Sequence, residues 1–268
     1  MYKIVERTVV FSWDFDEILN DTILNDIASC DKIIFNNYDN LNIYLITNNV
    51  YDYKPYGKWK RSKFNQPIDN LPHSIRDLTL GSGFNQCLDN LPSSIRNLTL
   101  GYDFNQSLDN LPNSIVDLTV GPCFNQEINN LPHSIKNLTL CVNFNQHLDN
   151  LPSSLINLTL GYNFNQPLDN LPSSLINLTF GYNFNQPLDN LPSSIINLTL
   201  GENFNQCLDN LPSSLNKITF KSYIGFYVKF NQEVKKIPPN LTLVDISEIP
   251  NKFDLKKLFE KFNVEIIE

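Results

Sequence analysis

An aspartate recurs every twenty residues through the middle of the chain, at Asp69, Asp89, Asp109, Asp149, Asp169, Asp189 and Asp209, with Asn129 in the one gap. Carboxylates stacked at a fixed repeat are the raw material of a calcium ladder. Each Ca²⁺, however, takes about 6–8 oxygens, and calcium-binding solenoids use Gly-rich nonapeptides to gather them. Here each repeat offers one carboxylate, so these aspartates read as turn formers in an Asp-Asn-Leu-Pro segment. His73 and His133 hold equivalent places three repeats apart, roughly 14 Å at sheet spacing and too far to share a metal; His147 sits elsewhere in its repeat. Catalysis needs different groups converging at one place. Neither a Ser-His-Asp set, a Cys-His pair nor a phosphate loop interrupts the series. The sequence thus predicts no catalytic residue, no metal site and no cofactor, and a chain that is not an enzyme.

The unit carrying these residues begins Phe-Asn-Gln and occurs eight times without insertion or deletion, at Phe64, Phe84, Phe104, Phe124, Phe144, Phe164, Phe184 and Phe204. A fixed period in this range marks a solenoid whose coils stack on their neighbours. With the Phe as position 0, the apolar positions are 0, 4, 7, 11, 14 and 16: Phe164, Leu168, Leu171, Leu175, Leu178 and Phe180 in the sixth copy. Only positions 14 and 16 show the two-residue alternation of a strand, so Leu-Thr-Leu is the strand and the rest returns the chain. Twenty residues cannot hold an antiparallel helix pair, least of all with Pro at position 8 of every copy, and the shape of the returning half stays open. Glycine at position 17 in six copies suits a bend or a positive φ. One coil cannot stand alone; stacking adds hydrogen bonds between coils and sets each Phe on the one before, with Cα atoms about 5 Å apart. The Asn and Gln at positions 1 and 2 of every copy predict amide ladders that satisfy the backbone of a turn.

The phrases FNQPIDNLP at Phe64 and FNQPLDNLP at Phe164 and Phe184 resemble the FNIP repeat of social amoebae and of giant viruses that infect amoebae. The resemblance covers residues 64–223 and implies a leucine-rich-repeat-like solenoid with one short parallel strand per coil. The pattern LxxLxLxxN is met by Leu155, Leu158, Leu160 and Asn163, although Phe164 follows Asn163 directly, where a leucine-rich repeat places one more residue. Relatives carrying an F-box or a kinase ahead of the repeats imply an alternative role as a substrate-recognition adaptor for a ubiquitin ligase. This N-terminus shows neither a Gly-rich loop nor several helices. A giant-virus member lacking the F-box is the expectation.

Residues 1–63 read as an N-terminal cap. It has a β-rich start, a helical pattern at Ile18, Leu19, Ile23, Leu24 and Ile27 that Asp14 or Asp16 could cap, and strand-like runs at Ile33–Phe35 and Ile43–Ile46. Residues 224–268 hold a degenerate ninth coil from Phe230, a helix over Asp254–Phe262 and a last strand at Val264–Ile267, with Tyr223–Phe226 looping out between the coils. Net charge is −8. In residues 64–223 five basic residues face twelve acidic ones, which argues against nucleic acid and anionic membrane. The basic run Trp59–Lys63 reads as a solvated edge of the cap. Five cysteines, an odd number with no CxxC, point to reduced thiols. With no signal-peptide core and no transmembrane span in the sequence, a cytoplasmic protein is expected, in the host cytoplasm if viral. The Asn-Leu-Thr sequons fall on the strands, where glycans would collide between coils.

The positions that vary carry the information about partners. Position 12 runs Arg76, Arg96, Val116, Lys136, Ile156, Ile176, Ile196 and Asn216; position 18 includes Tyr162 and Tyr182. Flanking the strand, Ile156, Ile176, Ile196, Tyr162 and Tyr182 form an apolar and aromatic patch of the kind that marks interfaces. The same row could instead record duplication of near-identical coils. The expected function is a protein-protein interaction scaffold that binds a partner through the repeat sheet face. A self-associating structural component is a further alternative.

Overall fold

The computed structural model describes residues 2–36, 60–222 and 227–268. The predicted strand at Ile43–Ile46, the start of the basic run at Trp59 and the loop at Tyr223–Phe226 lie outside the described residues. The chain forms two compact units, one of Met1–Gln126 with Asn130–Ser134 and one of Glu127–Asn129 with Ile135–Glu268.

The first unit opens with an antiparallel hairpin, β1 (Tyr2–Val5) and β2 (Thr8–Phe11), turned at Glu6 with φ 54°. Helix α1 (Asp21–Ile27) leads to β3 (Lys32–Phe35), which pairs parallel with β2. Then come β4 (Asp77–Thr79), β5 (Asn97–Thr99) and β6 (Asp117–Val120), each parallel to the one before, with Leu78 opposite Leu98 and Leu98 opposite Leu118. Alternation placed the strand at positions 14–16; each of these strands starts one residue earlier, at position 13, and β4 and β5 end at position 15. In the second unit β7 (Asn137–Leu140), β8 (Asn157–Leu160), β9 (Asn177–Thr179), β10 (Asn197–Leu200) and β11 (Lys217–Phe220) repeat the register. The ninth coil forms from Phe230 as its spacing predicts: β12 (Leu243–Asp245) pairs parallel with β11. Helix α2 (Lys252–Phe259) and β13 (Glu265–Ile267) follow. The helix was expected over Asp254–Phe262. It starts and ends earlier, and the Phe262 amide instead turns back to the Phe259 carbonyl at 2.9 Å.

Between strands the chain returns through turns. The position 11 amide donates to the Pro carbonyl at position 8 (Leu175 to Pro172, 3.1 Å) and the Phe amide to the carbonyl at position 17 (Phe204 to Gly201, 3.3 Å). Proline thus opens a turn by supplying its accepting carbonyl, and its ring costs no hydrogen bond of that turn, because the donor is the amide three residues on. Positions 0, 4, 11, 14 and 16 are buried in all eight coils. Position 7 lies at the rim, where Leu151, Leu171 and Leu211 are only half-buried. The phenylalanines stack. Ring centroids are 6.1, 6.3 and 6.2 Å apart from Phe64 to Phe124, and 6.1, 6.1, 6.2 and 6.1 Å apart from Phe144 to Phe230. The N-terminal part joins its column through Phe35, 3.9 Å from Phe64.

Two expectations need correction. The position 17 glycines do not adopt positive φ; they are favoured because successive coils touch there, although Cys141 and Lys221 stand at the same position in two copies. A Cβ on Gly181 would collide with the Gly161 carbonyl, and one on Gly101 with that of Gly81. Neither Asp14 nor Asp16 caps α1. The N-cap is Asn20, whose side chain accepts the Ile23 amide at 3.1 Å, so the helix begins after Ile18 and Leu19. Asp16 instead accepts the Asn65 amide at 3.1 Å and the Gln66 side-chain amide at 3.0 Å, standing where a preceding coil would put its Asn.

Candidate functional site

Burying positions 14 and 16 turns 13 and 15 outward, so the exposed face of each sheet carries an Asn or Asp row beside a Thr row. Thr159, Thr179 and Thr199 lie directly opposite one another and are half-buried by their neighbours. In the Asn row each side-chain N–H donates to the carbonyl oxygen one coil back: Asn157 to Asn137, Asn177 to Asn157, and Asn197 to Asn177 at 2.6 Å. The sequon nitrogens are therefore already engaged. Sequence reasoning passed over these two rows, although the alternation that found the core implied them.

Position 12 points outward as expected, through a bulge-like start to each strand. The Ile156 carbonyl accepts both the Ile176 amide at 2.9 Å and the Asn177 amide at 3.1 Å, and the Ile176 carbonyl accepts those of Ile196 and Asn197 at 2.9 and 3.2 Å. Two residues facing one breaks the alternation locally, so positions 12 and 13 both leave the core. Ile156 and Ile176 are half-buried and Ile196 is 39% exposed. At the other end of the strands, about 13 Å away for four residues, the Tyr162 and Tyr182 rings stack with centroids 4.5 Å apart and planes parallel. Burial first, then the neighbouring Tyr182 and Glu202, raise the Tyr162 phenol above its ordinary value, so it stays neutral. An Asn row at position 19 lines this end: Asn183 donates to Asn163 at 3.0 Å and Asn203 to Asn183 at 2.9 Å. The five predicted residues thus form two apolar edges framing a polar Asn/Thr strip, rather than one continuous patch.

The remaining rows are structural. The Asn backbone amide at position 1 donates to the side-chain carbonyl of the previous Asn, at 2.8–2.9 Å from Asn165 to Asn205, and the Gln186 side chain bridges to the Asn165 carbonyl at 3.0 Å. The aspartate series does more than form turns, because the carboxylates accept from the position 6 Asn of the following coil, as Asp169 does from Asn190 at 3.1 Å and Asp189 from Asn210 at 2.8 Å, while the last, Asp209, accepts the Lys235 backbone amide at 3.1 Å. Among the described residues no group of three or more His, Cys, Asp or Glu could hold a metal, and no helix is long and apolar enough to cross a membrane. The five cysteines are free, and burial raises the Cys30 thiol above its ordinary value.

Short parallel strands, one per twenty-residue coil, with a row of inward leucines, define a leucine-rich-repeat-like solenoid. The FNIP repeat matches residues 64–103, 88–123, 104–143, 124–163, 144–183, 164–191 and 184–223, and the chain belongs to that family. Among solved structures, the fold is similar to the giant-virus protein CroV588, described as a novel circular LRR protein, with 30% identity and a TM-score of 0.50 over 92% of this chain. YopM from Yersinia enterocolitica WA-314 is 21% identical with a TM-score of 0.40 over 72% of this chain. The chain spans about half the length of each, 48% and 50% respectively. Comparison with curated proteins gave no match at the sequence level.

Proposed function

We propose that this chain is a non-enzymatic scaffold that binds a protein partner on the outer sheet face of its later coils. Folds of this kind commonly mediate protein-protein interaction. The observation that carries the reading is the row Ile156, Ile176 and Ile196, turned out of the core by the strand bulge, across the Asn/Thr strip from the Tyr162–Tyr182 stack. Apolar and aromatic side chains there supply anchors for a partner, while the polar strip between them gives directional hydrogen bonds. The arrangement suits a protein surface better than a polyanion, given twelve acidic against five basic residues in 64–223.

The test is a triple variant, Ile156→Arg, Ile176→Arg and Ile196→Arg. Arg76 and Arg96 already occupy this register, so melting should change little. Binding of the partner recovered with the parent protein from native or infected cells should weaken by about 1–3 kcal/mol, as for lost hot spots. Equal affinity in parent and variant would remove the row from the interface.

A further inference from the structure

In the first unit the side chains of Arg7, His73, Arg76 and Arg96, with Ser74, Ser93 and Ser94, line a cavity of about 230 Å³. That is room for several waters at roughly 30 Å³ each, or for a small ion and its hydration. Arg7 is held by Asp31, with Nε donating to the carboxylate at 2.8 Å. Arg76 and Arg96 are different. The Arg96 amide donates to the Arg76 carbonyl at 2.8 Å, so the two side chains leave adjacent coils about 4.8 Å apart. Both are exposed, and among the described residues neither has an ion-pair partner. Two like charges at this spacing repel, in repeats whose balance is otherwise acidic.

The serines supply an independent observation. At position 10 the hydroxyl normally donates to the position 11 carbonyl of the preceding coil: Ser114 to Ile95 and Ser134 to Ile115, both at 2.6 Å, and in the second unit Ser174 to Leu155, Ser194 to Leu175 and Ser214 to Ile195 at 2.6–2.7 Å. Ser74 and Ser94 occupy the same position and break the pattern. Their hydroxyl oxygens are buried and, among the described residues, without a partner, and both residues line the cavity. A buried hydroxyl without a partner is costly; two of them, beside two uncompensated guanidinium groups, describe a site short of one acceptor-rich ligand.

From this juxtaposition we infer that the cavity binds a phosphate monoester. The lining offers guanidinium forks, an imidazole and hydroxyls, and no carboxylate. Guanidinium groups match phosphate oxygens bidentately, and three terminal oxygens use more of these donors than the two of a carboxylate. The acidic repeats around the cavity disfavour a polyanion such as nucleic acid and favour one isolated doubly charged group, as on a phosphorylated serine or threonine. This site lies in coils other than those of the apolar row and stands independently of the proposed partner surface.

The experiment is calorimetric titration of the full chain at constant ionic strength with three probes: a capped phosphoserine peptide, its unphosphorylated counterpart and inorganic phosphate. Saturable binding of the phosphopeptide at least tenfold tighter than of its counterpart is expected. The Arg76→Asn/Arg96→Asn variant should lose about tenfold or more, as for charged hydrogen bonds; Asn216 shows that the register accepts Asn. Ser74→Ala/Ser94→Ala removes buried hydroxyls without a partner, so it should melt no lower than the parent yet bind the probe more weakly. Inorganic phosphate binding as tightly as the peptide supports the site and identifies free phosphate as its source. No saturable binding at millimolar probe, or equal binding by the parent and both folded variants, would overturn the inference, whatever the apolar-row variant does to partner capture.

Discussion

In the coils that begin at Phe64 and Phe84 the residue just before the strand is arginine; in those that begin at Phe144, Phe164 and Phe184 it is isoleucine. Beneath them the backbone does the same thing. The Arg76 carbonyl accepts Arg96 and Asn97 at 2.8 and 3.1 Å, and the Ile156 carbonyl accepts Ile176 and Asn177 at 2.9 and 3.1 Å. The coil thus fixes position 12 through its main chain and leaves the side chain out of the core. One location can then carry a cationic pocket wall in one stretch and an apolar edge in another, with no change in the buried set.

The largest expected effect tests whether the coil really is the common unit. Deleting Thr179 alone moves Phe180 to the outer face and shifts its coil out of register; cooperative unfolding of the second unit should be lost. Deleting 164–183 removes one whole coil and rejoins equivalent junctions. It should keep a single transition with an unfolding enthalpy lower by roughly 14 kcal/mol, at about 0.7 kcal/mol per residue. If calorimetry finds both deletions equally harmful, the two stretches are not built from interchangeable units.

A smaller effect asks whether both stretches share the close approach at position 17. Gly101→Ala and Gly181→Ala each place a methyl group against the carbonyl of the coil before, and each should cost about 1–3 kcal/mol, as overpacking does. Denaturant midpoints would measure this. A cost confined to one of the two would show that the coils are spaced differently in the two regions.

These glycines also show where the sequence stops being legible. The period, the inward leucines and the Leu-Thr-Leu strand follow from spacing alone, because burial at positions 14 and 16 leaves its mark in residue type. A glycine says only that something forbids a Cβ; whether that is φ or a neighbouring carbonyl depends on a coil twenty residues away. Asp16 is read from sequence as a helix cap because capping is local, yet its partners are Asn65 and Gln66. The outward turn of Ile156, Ile176 and Ile196 is legible from position 12 lying next to a buried position 11. The cavity is not, since it joins Arg7 to Arg96 and depends on two serines of unchanged identity whose hydroxyls have lost their usual acceptor.

The smallest effect concerns the place where the neutral rows end. In the second unit Lys217 and Asp245 stand where earlier strands carry Asn and Thr, and the Lys217 ammonium donates to the Asp245 carboxylate at 2.7 Å. Burial pushes the Asp245 carboxyl up, but hydrogen bonds from Lys217 and Ser247 outweigh it and leave the value lowered. A carboxyl lowered by folding stabilises the protein above the unfolded value, near 3.9, and loses that contribution as pH falls through the folded value. Asp245→Asn should therefore cost under about 1 kcal/mol at pH 6, and the cost should shrink as the pH falls through the folded value. A melting-temperature gap that persists in acid would assign the pair a packing role instead.

The Asn ladder at position 1 has a direction. Each rung hands its side-chain carbonyl forward to the next backbone N–H, so a run of coils starts with a donor in want of an acceptor and finishes with an acceptor in want of a donor. Asp16, which can only accept when ionised, fits the first end, and the Asn231 amide, donating to Asn205 at 3.0 Å, serves the last. The two terminal segments are consequently not interchangeable lids. Each is keyed to one polarity, like the plug and socket of a cable that can be lengthened in the middle but never reversed.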